Sequence, residues 1–138
     1  MWAYEHSVDS GASAAAIWDV WADVPGWPDW NAGVEKIEID GEFAPGTRFR
    51  MTPPGEEAIE LRLTEVVRHE RFTDIMDAGD FVVTTVHRLE PLPGGGTRVV
   101  YRTEITGAAA AEVGPQLGPA ITGDFPEVLA ALVKRAEG

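Results

Sequence analysis

Apolar residues recur along this chain with two different periods, and the switch between them divides it. From Val34 to Thr106 the period is two, as in strands with one buried and one wet face, over Val34–Ile39, Thr47–Thr52, Glu57–Val67, Glu70–Asp77, Asp80–Glu90 and Thr97–Thr106. In the third of these, Ile59, Leu61 and Leu63 share one face while Glu60, Arg62 and Thr64 share the other. Trp2–Asp9 alternates more loosely and forms a first strand, about seven in all. Ser13 then supplies an N-cap for a short helix through Ile17, Trp18 and Trp21. Pro25-Gly26 stops that helix, and Gly26-Trp27-Pro28-Asp29-Trp30-Asn31 makes one helical turn or a tight aromatic loop.

After Gly107 the period becomes 3.6. Val113, Leu117, Ile121, Phe125, Leu129, Leu132 and Val133 lay one apolar stripe along a long C-terminal helix. Gly114-Pro115 and Gly118-Pro119 interrupt its first half, which predicts a kink there and a widened space beneath it. Asp124 is placed to cap the second half, with Pro126 in its first turn and Lys134 and Arg135 near its negative end.

A chain of 138 residues, 44% hydrophobic, carries one sizeable core and predicts a single domain over residues 1–138. It contains no cysteine, which excludes disulfides and thiolate metal sites. A net charge of -12 argues against nucleic acid as a partner, because phosphate binding needs a positive face. The arginines from Arg48 to Arg102 are read as exposed strand positions. With no basic leader and no apolar run of membrane-spanning length, the chain reads as cytoplasmic with no membrane span. His6, His69 and His87 lack ligand spacing, so neither a metal nor a cofactor is expected; the oligomeric state is left open. Gly94-Gly95-Gly96 sits between two strands and is a hairpin turn, without the helix and lysine of a phosphate loop.

The order of elements, one strand, two short helices, a meander of strands and a long last helix, carries a resemblance. So do Ile17-Trp18, Trp27-Pro28-Asp29-Trp30-Asn31, Gly46-Thr47-Arg48-Phe49, Glu65-Val66 through Arg71-Phe72, Gly96-Thr97-Arg98-Val99 and Thr106-Gly107. The whole chain resembles the helix-grip (SRPBCC) superfamily of START-type lipid-transfer domains and birch-pollen-allergen-like proteins, closest to its polyketide cyclase/dehydrase-like branch. The resemblance implies an α+β helix-grip fold: a curved antiparallel sheet wrapped around the C-terminal helix, with a hollow between them for a hydrophobic small molecule. These motifs are turns and core positions, specific for fold and poor guides to activity.

Pairing across Ala78-Gly79 as a two-residue hairpin sets Met76 opposite Phe81, Asp74 opposite Val83, Phe72 opposite Thr85 and Glu70 opposite His87. In the last hairpin Leu89 meets Val99, His87 meets Tyr101 and Thr85 meets Thr103. The inward face then combines Phe49, Met51, Leu61, Leu63, Phe72, Met76, Phe81, Val83, Thr85 and Thr103, closed by Leu117, Ile121 and Phe125 of the helix. Trp27 and Trp30 stand at the entrance implied by the resemblance, beside Pro53-Pro54-Gly55 and Asp77–Asp80, where an indole either stacks on a flat ligand or caps the core.

Three functional classes follow. The first is a carrier or sensor that binds an aromatic or polycyclic hydrophobic molecule. The second is a cyclase/dehydratase-like enzyme in which His87 and Asp74 transfer protons and Tyr101 stabilises an enolate. The third is a client-binding domain with an exposed apolar patch. Bulky inward residues such as Phe49, Met51, Phe72 and Met76 would instead leave a solid core if they filled the hollow.

Overall fold

The alternating segments become seven strands in the computed structural model, which describes residues 1–138. β1 (Trp2–Ser10) leads to α1 (Ala14–Ala22) and a 3₁₀ helix (Val24–Asp29). Next come β2 (Lys36–Ile39), β3 (Arg48–Thr52), β4 (Ile59–Val67), β5 (Arg71–Asp77), β6 (Val82–Pro91) and β7 (Thr97–Thr106). The last two elements are α2 (Ala110–Thr122) and α3 (Phe125–Glu137). All strand pairs are antiparallel in the order β1-β7-β6-β5-β4-β3-β2, so the two edge strands are joined through α1 and the 3₁₀ helix. This is the expected α+β helix-grip architecture.

Local chemistry sets the ends of the short helices. The Ser13 hydroxyl accepts from the Ala16 amide at 3.1 Å, and the helix it starts buries Ile17, Trp18 and Trp21. The 3₁₀ helix tolerates Pro25 near its start and Pro28 within it. It is tied back by the Trp27 indole, which donates to the Trp21 carbonyl at 3.0 Å.

Two features of the sheet depart from regular pairing. The β5–β6 loop is two residues longer than a tight hairpin, so Phe72 pairs with His87, Asp74 with Thr85 and Met76 with Val83. The shift is even, and every side chain keeps its face. Between Leu63 and Glu65 a bulge in β4 changes the register against β5. Leu63 stays beside Asp74 and Val66 beside Phe72, so the inward face passes from Leu63 to Val66 and Glu65 turns out to bond Arg71.

The largest correction concerns the C-terminal segment. The Gly-Pro pairs expected to interrupt it do not end the helix: α2 runs through Pro115 and Pro119 and ends at Thr122. Its buried edge is Ala110, Gly114, Gly118 and Thr122, spaced four apart. The two glycines lie on Trp2: a Cβ on Gly114 would sit 2.7 Å from the Trp2 Cβ, and one on Gly118 would overlap the indole ring. The glycines therefore let the helix approach β1 instead of breaking it. The chain breaks at Gly123-Asp124, and Asp124 makes no side-chain cap bond to α3. In α3, Phe125, Val128, Leu129 and Leu132 are buried against α1 and β1, while Val113, Leu117 and Ile121 of the predicted stripe remain half-buried.

Candidate functional site

Between the concave face of the sheet and the α2–α3 break lies a cavity of about 500 Å³. Phe49, Phe72, Tyr101 and Phe125 are packed into the core at its base, each 7% exposed or less. Met51, Leu61, Met76, Val83, Leu117 and Ile121 continue the wall. Trp27 and Trp30 line it near the 3₁₀ helix, so both entrance indoles face the space and Trp27 also caps the core. The Trp30 Nε1 is buried without a hydrogen-bond partner. Pro53, Pro54 and Glu56 border the cavity from the β3–β4 loop, whereas the Asp77–Asp80 loop does not reach it.

Four buried polar side chains meet this apolar wall. Asp74 and Thr85 are cross-strand partners on β5 and β6, and His87 and Tyr101 are partners on β6 and β7. The Thr85 hydroxyl is shared with that of Thr103 at 2.9 Å. The other three keep unused hydrogen-bonding capacity.

The His87 ring stacks on Phe72 with centroids 4.0 Å apart and an interplanar angle of 5°. Its Nδ1 lies 3.2 Å from the Phe72 carbonyl oxygen. A carbonyl only accepts, so Nδ1 carries the proton and Nε2 presents a lone pair with no protein donor. Burial lowers the His87 pKa to about 3, and the bond to Phe72 opposes this only in part. The imidazole is neutral at pH 7.

Tyr101 accepts from the Trp21 Nε1 at 3.0 Å, which occupies one lone pair and leaves its O–H free to donate. Burial raises its pKa, the Trp21 bond opposes that, and the Asp74 charge adds to it. Asp74 is 7% exposed, and its carboxyl makes no hydrogen bond or ion pair within the protein. Desolvation alone raises its pKa to about 7.

Not all predicted residues reach the cavity. Leu63 is sealed in the core at 1% exposure, and the fully buried Thr103 spends its hydroxyl on Thr85. Phe81, displaced from β6 by the longer loop, packs with Val83, Ile105 and Ala110. In turn, the cavity gains Trp21 and Asp124. Trp21 follows Ile17 by one helical turn, a periodicity visible in the sequence. Asp124 occupies the N-cap of α3, as the sequence reading has it, and is at the same time an exposed rim residue beside Gly33 whose carboxyl pKa is raised by partial desolvation. Nowhere do three His, Asp or Glu side chains gather as a metal site would need. No helix is long and apolar enough to cross a membrane.

The family model described as polyketide cyclase / dehydrase and lipid transport matches residues 1–137. The chain belongs to that family. Members of the same fold include norcoclaurine synthase from Thalictrum flavum, with TM-score 0.74 and 22% identity over 96% of this chain and 84% of that one. The Zhui aromatase/cyclase from Streptomyces sp. R1128 superimposes with TM-score 0.76 and 22% identity, covering 98% of this chain and 93% of that one. Ara h 8.0201 gives TM-score 0.77 and 15% identity over 97% and 96% of the two chains. At these identities the likeness shows the helix-grip fold. No curated protein sequence matches the chain.

Proposed function

We propose that this polyketide cyclase/dehydrase-family domain binds a flat hydrophobic small molecule, aromatic or polycyclic, in the cavity between the sheet and the C-terminal helices. The observation that carries this reading is the cavity's composition: about 500 Å³ walled mainly by aromatic and aliphatic side chains, with a few polar groups whose capacity the protein does not use. A solid core would have satisfied or excluded those groups. Burial of a ring against Trp27, Trp30 and Phe125 supplies affinity, and the polar groups set orientation.

Native mass spectrometry of the purified protein, with extraction of any copurifying compound, tests the reading. Filling the space with Ile121→Trp is expected to abolish binding of any extracted compound while the folded near-UV signal persists. Undiminished binding by the filled variant would place the ligand elsewhere.

A second reading is supported by Asp74, a desolvated carboxyl without a partner and with a pKa of about 7, since such groups concentrate at catalytic sites. Here Asp74 serves as proton acceptor and donor in an enolisation or dehydration, and the Tyr101 O–H stabilises the enolate oxygen. His87, with a pKa of about 3, is too weak a base for that step and instead accepts a hydrogen bond from the substrate through Nε2. Asp74→Asn would then remove turnover of a polyketide-like substrate with little change in KM, whereas a pure binder shows no turnover to lose.

A further inference from the structure

The cavity is selective in charge as well as in shape. Its lining contains three carboxyl groups, those of Glu56, Asp74 and Asp124, and no lysine or arginine. The only other basic group is His87, whose Nδ1–H is committed to the Phe72 carbonyl and whose ring is held neutral. A ligand carboxylate entering this space would meet carboxyl groups and find no cation. A ligand ammonium would meet aromatic faces along the wall and an unpartnered carboxyl inside.

Asp74 is the decisive group. It is 7% exposed, lines the cavity and has no partner among the protein's own side chains or amides. From β4 it faces Leu63 and from β6 Thr85, whose hydroxyl bonds Thr103. The titratable groups sharing its cavity are His87 and Tyr101 on the sheet, Glu56 in the β3–β4 loop and Asp124 at the head of α3; α2 contributes only apolar residues to the lining. None brings a positive charge. The molecule's net charge of -12 also concentrates cations at its surface.

We propose that the cavity takes aromatic amines: the ring system lies between the indoles and the sheet, its protonated amine pairs with the Asp74 carboxylate, and carboxylate-bearing analogues are refused. This rests on the ligand-binding reading above and names the ligand class for the same site. The pairing involves proton release, because an ammonium beside Asp74 favours its ionised form. Glu56 and Asp124 at the rim act in the same direction by repelling anions and drawing in cations.

Three probes with one ring system separate the terms: naphthylethylamine, naphthylethanol and naphthylacetate, titrated calorimetrically into the full chain. The amine should bind at least about tenfold more tightly than the alcohol, a charge-assisted bond being worth more than a neutral one, and the acetate most weakly. With Asp74 ionising near pH 7, amine affinity should strengthen about tenfold between pH 6 and pH 8, with proton release in buffers of different ionisation enthalpy. In Asp74→Asn the ratio of amine to alcohol affinity should fall to near one. That ratio cancels general damage to the pocket. Acetate binding as tightly as amine, or an amine preference that survives Asp74→Asn, would overturn charge selection and leave ligand binding standing. Failure of all three probes to bind would overturn both.

Discussion

Asp74 and His87 face the same cavity with opposite acid–base consequences. An unfolded Asp74 releases its proton near 3.8 and the folded one near 7, so the native state holds an extra proton between these values and this group makes stability fall as pH rises through that window. Integrated, this is on the order of 4 kcal/mol. An unfolded His87 takes up a proton near 6.5 and the folded one near 3, so this group makes stability fall as pH drops through its window, by on the order of 5 kcal/mol. The two slopes oppose each other from about pH 4 to 6.5 and nearly cancel. Single substitutions should therefore uncover them. Relative to the unaltered protein, Asp74→Asn should lose stability on acidification from pH 6 to 4 at about 1.4 kcal/mol per unit, and His87→Gln should gain at a similar rate. Urea unfolding at each pH measures both, and parallel curves for all three proteins would show that neither side chain is kept uncharged by the fold.

Among the helices, the contact between α2 and β1 is governed by two glycines. Alanine is the better helix former by about 1 kcal/mol, so Gly118→Ala would stabilise an isolated helix. Here its methyl group would overlap the Trp2 indole, and the displacement is expected to cost about 1–3 kcal/mol net of that gain. Combining it with Trp2→Ala should recover most of the loss relative to Trp2→Ala alone, a coupling that a double-mutant cycle in thermal unfolding reads directly. The same glycines mark the limit of sequence reading for the elements. Alternation located every strand of the meander, and Ser13 located the start of α1, because both signals are local. Gly114-Pro115 and Gly118-Pro119 look equally local and pointed to an interruption of the helix, yet α2 continues through both. Their effect depends on Trp2, more than one hundred residues away, and tertiary packing overrode propensity. The β5–β6 register was misplaced by two residues with no harm to the face of Asp74 or His87, since a strand's side chains repeat every second position.

At the scale of the whole molecule, the cavity itself was not legible in the chain. Its inward faces follow from period two, but its volume depends on how far a curved sheet stands from helices broken at Gly123-Asp124, and on Leu63 and Phe81 packing elsewhere. Charge is different, because its total is fixed by composition and its arrangement by the outward strand face. Eight of the eleven basic side chains are in ion pairs, including Arg50 with Asp40 at 2.7 Å and Arg98 with Asp9 at 2.8 Å, and only Arg62, Arg68 and Lys134 are not. Such exposed pairs add little to stability, because water screens their attraction and holding two long side chains in one geometry costs entropy. They leave a large surplus of carboxylates whose mutual repulsion gives the net charge of -12. Salt weakens both terms, since the Debye length shrinks from about 30 Å at 0.01 M to about 3 Å at 1 M. Attraction within a pair acts over a few ångströms and survives longer, whereas repulsion across the surface is screened first. Raising sodium chloride from about 0.02 M to about 0.5 M should therefore increase Tm at pH 8 by a few degrees, and potassium chloride should act alike if screening is the cause. A Tm that falls with salt would mean that the surface pairs, rather than the acidic surplus, dominate the electrostatic part of stability.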